Sequence, residues 1–183
     1  GQWPDGLAPG TAPGYFDGLP GEVASGAVQG GPDMTMTSLS PTLMVEDVNR
    51  TVHFYHEVLG FTFVWGLAAA ARTGVTDWPA SVPLAMALVE NGAARLSFQT
   101  RSFMASTLPL LANERIGGSL VLFLECDDLD ALCDRIGEHA PFLKAPHTTA
   151  HGDRQCSIED PDGYILTFAT RPDRAGADSE ISA

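Results

Sequence analysis

The sequence predicts an α+β domain of two tandem βαβββ modules whose curved mixed sheets surround a cleft. Three observations predict it. An apolar strand that ends at an acidic residue and runs into an amphipathic helix occurs twice. It reads Pro41-Thr-Leu-Met-Val-Glu-Asp-Val48 leading into 50–61, then Leu120-Val-Leu-Phe-Leu-Glu-Cys-Asp-Asp-Leu129 leading into 130–136. Each helix is followed by further strand-like segments. Each set contains a tight turn, Asn91-Gly92 in the first and Asp160-Pro-Asp-Gly163 in the second. A duplicated unit of this kind places its site in the cleft that the two copies form together.

Taken in order, residues 1–37 are rich in Gly and Pro, lack a helical or alternating pattern, and read as a flexible tail. Segment 39–45 is strand-like, with Pro41 tolerable near a strand start or edge. The first helix is predicted over 47–59. Asp47 is a good N-cap, Val48, Val52, Tyr55 and Leu59 form an apolar stripe, and Gly60 ends it. A short strand at 61–65 and a loop with Thr76-Asp77-Trp78-Pro79 follow. Segments 84–90 and 94–101 form a hairpin around Asn91-Gly92. Residues 105–117 connect the modules, so that module one spans 38–104 and module two 118–171. In module two a strand at 120–126 leads to a helix over 128–139, buried through Leu129, Leu132, Cys133 and Ile136. A loop with His147 and His151 precedes strands at 155–159 and 164–169. Residues 172–183 read as a second flexible tail.

The chain has 183 residues, 44% hydrophobic and 18% charged, and a net charge of −13. The charge argues against nucleic acid and anionic membranes as partners and suits a cationic or neutral ligand. No apolar run approaches the ~20 residues of a membrane span, and no signal-peptide pattern is visible. Cys126, Cys133 and Cys156 have no paired spacing and sit in apolar segments, where they read as small buried hydrophobes. These features give the expectation of a cytoplasmic protein.

Three stretches resemble the vicinal oxygen chelate superfamily of glyoxalases, bleomycin resistance proteins and extradiol dioxygenases. They are Val45-Glu-Asp-Val48 with Phe54-Tyr55 and Leu59-Gly60-Phe61, then Glu125 to Leu132, then Ser157-Ile-Glu-Asp-Pro-Asp-Gly-Tyr164. The resemblance covers 39–170 and implies the fold, a cleft in each paired-module sheet, and a homodimer. It does not imply one activity, because the fold hosts many.

Enzymes of that superfamily bind a divalent metal through inward-facing His and Glu from four strands. Here the corresponding positions are Ser40, Ser97, Val121 and Thr167. None is a ligand for a transition metal in this geometry, and shifting the register by one residue brings in only Leu, Phe and Pro. The resemblance therefore points to its metal-free, bleomycin-resistance-like branch, with no cofactor. His53 and His56 on the first helix read as a solvated face, and His139, His147 and His151 have no third ligand at fixed spacing.

Strand phase gives the candidate ligand-binding residues as Trp65, Ser97, Gln99, Arg101, Val121, Phe123, Glu125 and Thr167. Trp78 is a further aromatic candidate. Glu125, at the cleft mouth, is the one weak catalytic candidate, and Arg101 can anchor an anion or pair with Glu125. The expected function is metal-independent binding of a small ligand, such as an antibiotic or another cationic or aromatic molecule. The alternative is an enzyme of lyase, isomerase or dioxygenase type with a metal-free or non-standard site.

Overall fold

The computed structural model describes residues 37–170. In chain order its elements are β1 (Thr42–Val45), α1 (Val48–Glu57), β2 (Thr62–Ala68), β3 (Gly74–Val75), β4 (Leu84–Asn91), β5 (Ala94–Thr100) and α2 (Arg101–Thr107). A 3₁₀ turn at Pro109–Leu111 then leads to β6 (Val121–Glu125), α3 (Leu129–Gly137), β7 (Phe142–Thr148), β8 (Arg154–Glu159) and β9 (Ile165–Thr170). The tails expected at 1–37 and 172–183 lie outside the described residues, except for Thr37.

One sheet has the order β1-β5-β4-β2-β3 and the other β6-β9-β8-β7. In both, the module's first strand runs parallel to its last, and the other pairings are antiparallel. The duplication is visible strand by strand. Leu96-Ser-Phe-Gln-Thr100 on β5 matches Leu166-Thr-Phe-Ala-Thr170 on β9.

Both long helices begin on an aspartate. Asp47 Oδ1 accepts from Arg50 N, and Asp128 Oδ1 accepts from Ala131 N, which satisfies amides that the helix itself leaves unpaired. α1 stops where Gly60 takes φ +71° and its N–H donates to His56 O, an αL ending, with Phe61 N donating to Tyr55 O beside it. The helices face inward. Val52, Tyr55 and Phe98 from module one and Ile136, Cys156, Ile158 and Leu166 from module two belong to one continuous core. Cys133 and Cys156 lie in it as free thiols with sulfurs 3.4 Å apart. Burial pushes the Cys156 thiol far above its ordinary range.

A polar latch reinforces that core. The Asp160–Gly163 turn of module two inserts at the N-terminus of α1. Asp162 accepts from Glu46 N at 2.9 Å and Arg50 Nη2 at 2.7 Å through Oδ1, and from Thr51 Oγ1 at 2.5 Å through Oδ2. Asp160 accepts from Tyr55 Oη, and Tyr164 Oη donates to Met44 O.

The modules therefore meet through their helix-bearing faces, and their concave faces point apart. No ladder joins the two sheets among the described residues, and β1 and β6 each pair on one side only. The elements that the sequence pattern did not yield are β3, α2 and β7. β7 carries Pro146 and two register shifts, which a sheet tolerates at an edge strand and which erase the alternation. No helix of the described residues is long and apolar enough to cross a membrane.

Candidate functional site

Strand register assigns the concave faces. On the first sheet, Ser97 lies between Thr42 on β1 and Leu88 on β4, and Gln99 between Met44 and Met86. Trp65 is paired with Leu88 and so shares this face. Its indole edge rests on Gly74 of β3, where a Cβ would come within 3.0 Å of Nε1. On the second sheet, Phe123 is paired with Thr167 and Thr167 with Ser157, while Val121 and Glu125 flank them on the same strand. The Thr167 and Ser157 hydroxyls are 3.0 Å apart.

The two faces differ in cover. Ser97 is only 5% exposed, whereas Val121 is 44% and Phe123 36% exposed. Among the described residues Ser97 Oγ has no hydrogen-bond partner. Glu125 stands at the exposed end of β6. Because the concave faces diverge, one chain does not bring the eight ligand candidates into one cavity. Trp65, Ser97 and Gln99 share one wall, and Val121, Phe123, Glu125 and Thr167 share another.

Arg101 belongs to neither wall. Thr100 Oγ1 accepts from Phe103 N and caps α2, so the strand phase that placed Arg101 beside Gln99 ends one residue earlier. The Arg101 guanidinium instead donates to the carbonyls of Ala112 and Glu114 in the connector. A Thr followed by Ser and Ala residues is the signal that could have shown a capped helix here. Trp78 is also elsewhere. It packs against Phe63 and His56 on the helix side of the first sheet. His56 is half-buried rather than solvated, and its Nδ1 donates to Phe61 O at 2.7 Å.

A cavity of about 740 Å³ opens at the seam between the modules, beside the unpaired edge of β6. Phe123 and Glu125 line it together with Asp127, Asp128 and Arg135, facing the Asn91–Ala94 hairpin. Its floor is the core edge, at Leu124, Leu132 and Phe168. It is the gap next to an edge strand and separate from the Ser97 wall.

The metal test is one of donor chemistry. Ser97 and Thr167 face the two concave sides with hydroxyls, Val121 with an alkyl group, and Ser40 precedes β1 in an exposed position. Neutral hydroxyls and an alkyl group do not hold Fe, Zn, Ni or Mn in a protein site. Among the described residues, no three His, Cys, Asp or Glu side chains are placed to share a metal ion.

A family model described as the Glyoxalase/Bleomycin resistance protein/Dioxygenase superfamily matches residues 36–168. No curated protein matches the chain. Among solved structures, a protein of unknown function from Agrobacterium tumefaciens str. C58 is 23% identical, with 75% of this chain and 96% of that one covered and a TM-score of 0.57. TioX from Micromonospora sp. ML1 is 16% identical, over 74% of this chain and 98% of that one, at 0.52. A glyoxalase/bleomycin resistance protein/dioxygenase family enzyme from Burkholderia phytofirmans PsJN is 21% identical, over 72% and 95%, at 0.54. At these identities the likeness shows the fold alone.

Proposed function

Because the chain belongs to the glyoxalase/bleomycin resistance protein/dioxygenase superfamily, we propose that it is a metal-independent binder of a small organic molecule. The observation that carries this reading is the chemistry at the four positions that match the superfamily's metal ligands, Ser40, Ser97, Val121 and Thr167. They offer hydroxyls and an alkyl group where a metal enzyme needs imidazole and carboxylate. What remains suits capture: an aromatic wall at Trp65, amide and hydroxyl groups at Gln99, Ser97 and Thr167, and carboxylates near β6 that favour a cationic end.

The binding unit is a homodimer. In each composite cleft, the Ser97 wall of one chain faces the Val121–Phe123 wall of its partner. Three features support it: concave faces that diverge within one chain, the exposure of Val121 and Phe123, and the open edges of β1 and β6. The protein acts inside the cell, sequestering an antibiotic or comparable molecule without altering it.

Native mass spectrometry of the untagged protein from its own host tests this reading. The expected species is a dimer carrying an organic ligand and no stoichiometric metal. A chain carrying about one Fe, Zn, Ni or Mn, whose removal abolishes a turnover, overturns the reading in favour of an enzyme. A monomer at micromolar concentration overturns the shared cleft.

A further inference from the structure

The Ser97 wall carries a feature that a rigid cleft does not explain. A buried hydroxyl is ordinarily paired, and leaving one unpaired is unfavourable. Ser97 Oγ is buried and reaches no partner among the described residues. Met44 and Met104 are buried as well, yet neither joins the core between the modules. α2, which carries Met104, touches β1, β4 and β5.

The hold on α2 is slight. Met104 is its one buried residue, against four in α1. Its other anchors are only partly buried: the Thr100 cap, an Arg101 bond to a connector carbonyl, and the Arg72 guanidinium 4.8 Å from the Phe103 ring centre. A seven-residue helix is not stable alone. One whose only fully buried side chain is a flexible thioether belongs to the less stable part of a fold.

We propose that α2 is a lid over Ser97, pinned shut by Met104, that opens to admit an uncharged, flat organic group whose carbonyl oxygen accepts from Ser97 Oγ. The polarity follows from the wall. The charged residues flanking Ser97 and Gln99 on this face, Arg95 and Glu90, pair with each other at 2.9 Å toward the hairpin end. The groups left for the ligand are the Ser97 hydroxyl, the Gln99 amide and the apolar side chains of Met44, Met86 and Leu88. Methionines reshape at little cost around such a guest. The proposal rests on the cleft reading above and adds to it the gate and the chemistry of one end of the ligand.

The test uses the full chain and prodan, an uncharged naphthyl ketone whose emission reports polarity and hydrogen bonding. Prodan should bind with a blue shift. Ser97→Ala should weaken binding about fivefold, the loss of one hydrogen bond, while raising the unfolding midpoint because the orphan hydroxyl is gone. Met104→Ala should tighten binding about tenfold, since the closed population no longer competes. Met104→Leu, of similar volume, should stay near wild type.

In the ligand-free protein, α2 amides should exchange with deuterium at least about tenfold faster than α1 amides. Exchange of α2 together with α1, or no prodan binding by wild type and Met104→Ala alike, overturns the lid. If Thr167→Val weakens prodan binding while the Ser97 and Met104 variants do not, the lid fails and the cleft stands. If none of these variants alters binding, both fail.

Discussion

Replacing Asp162 with alanine removes the carboxylate that ties module two to the first turn of α1. The side chain is fully buried at its oxygens, while its Arg50 partner is 49% exposed. The substitution strands Glu46 N, which donates to it at 2.9 Å, while the Thr51 hydroxyl keeps the Asp47 carbonyl as its other acceptor. It also takes away a negative charge at the positive end of a helix whose first turn has no acidic residue.

Hydrogen bonds to a charged group are worth about 1.5–3 kcal/mol each, but three bonds to one carboxylate do not add. Breaking a buried charged network costs about 3–5 kcal/mol. The exposed Arg50 arm is screened, so its share is about 1 kcal/mol or less. The expected loss is about 3 to 4 kcal/mol for Asp162→Ala. Asp162→Asn keeps one acceptor and should lose about half of that.

Urea unfolding followed by fluorescence gives the value, read as a fall in midpoint at constant slope. Arg50→Ala is the control and should cost about 1 kcal/mol at most. A loss below about 1 kcal/mol for Asp162→Ala would refute the reasoning. So would an Arg50→Ala loss equal to it, since the exposed ion pair and not the buried donors would then hold the modules.

Two further outcomes follow from the same turn. Gly117 has φ +73°, and a Cβ there would overlap the Asp162 carbonyl oxygen, so Gly117→Ala should lose about 2 kcal/mol or more in the same assay. Burial raises the Asp160 carboxyl above its ordinary range, although amide bonds from Tyr164 and Asp162 partly offset it. A raised acid binds its proton more tightly when folded. Its contribution to stability is therefore present at low pH and is lost as pH rises from the ordinary carboxylate range through the raised value. Asp160→Asn should flatten that part of the stability–pH curve; a curve unchanged in slope would count against the buried-acid assignment.

Much of the fold was legible because local signals and core packing agreed. Asp47 and Asp128 cap the two main helices, Gly60 ends the first, and Leu96, Phe98, Leu166 and Phe168 enter the core as strand alternation requires. The misses have separate physical causes. β7 is an edge strand with a proline and bulges, so it carries no alternation to read. α2 begins at the last residue of the strand read over 94–101, and only the Thr100 cap marks the change. The relative placement of the modules depends on contacts between residues more than 100 positions apart, such as Thr51 with Asp162, and no local pattern encodes them. The candidate site was legible as two sets of in-phase side chains; that the sets lie on opposite sides of one chain was not.

The repeat between β5 and β9 bears on how a guest would sit. The copies keep Leu96 and Leu166, and Phe98 and Phe168, where side chains enter the core. They part at Ser97 and Thr167, and at Gln99 and Ala169, where side chains face outward. One wall offers an unsatisfied hydroxyl beside an amide. On the other, the hydroxyl is already engaged with Ser157, and a methyl group stands in the amide's place. A molecule spanning one wall of each kind meets unlike surfaces at its two ends, so turning it end for end exchanges a good fit for a poor one. The repeated module supplies two similar frames, and the differences among their outward residues would give a site between them a head and a tail.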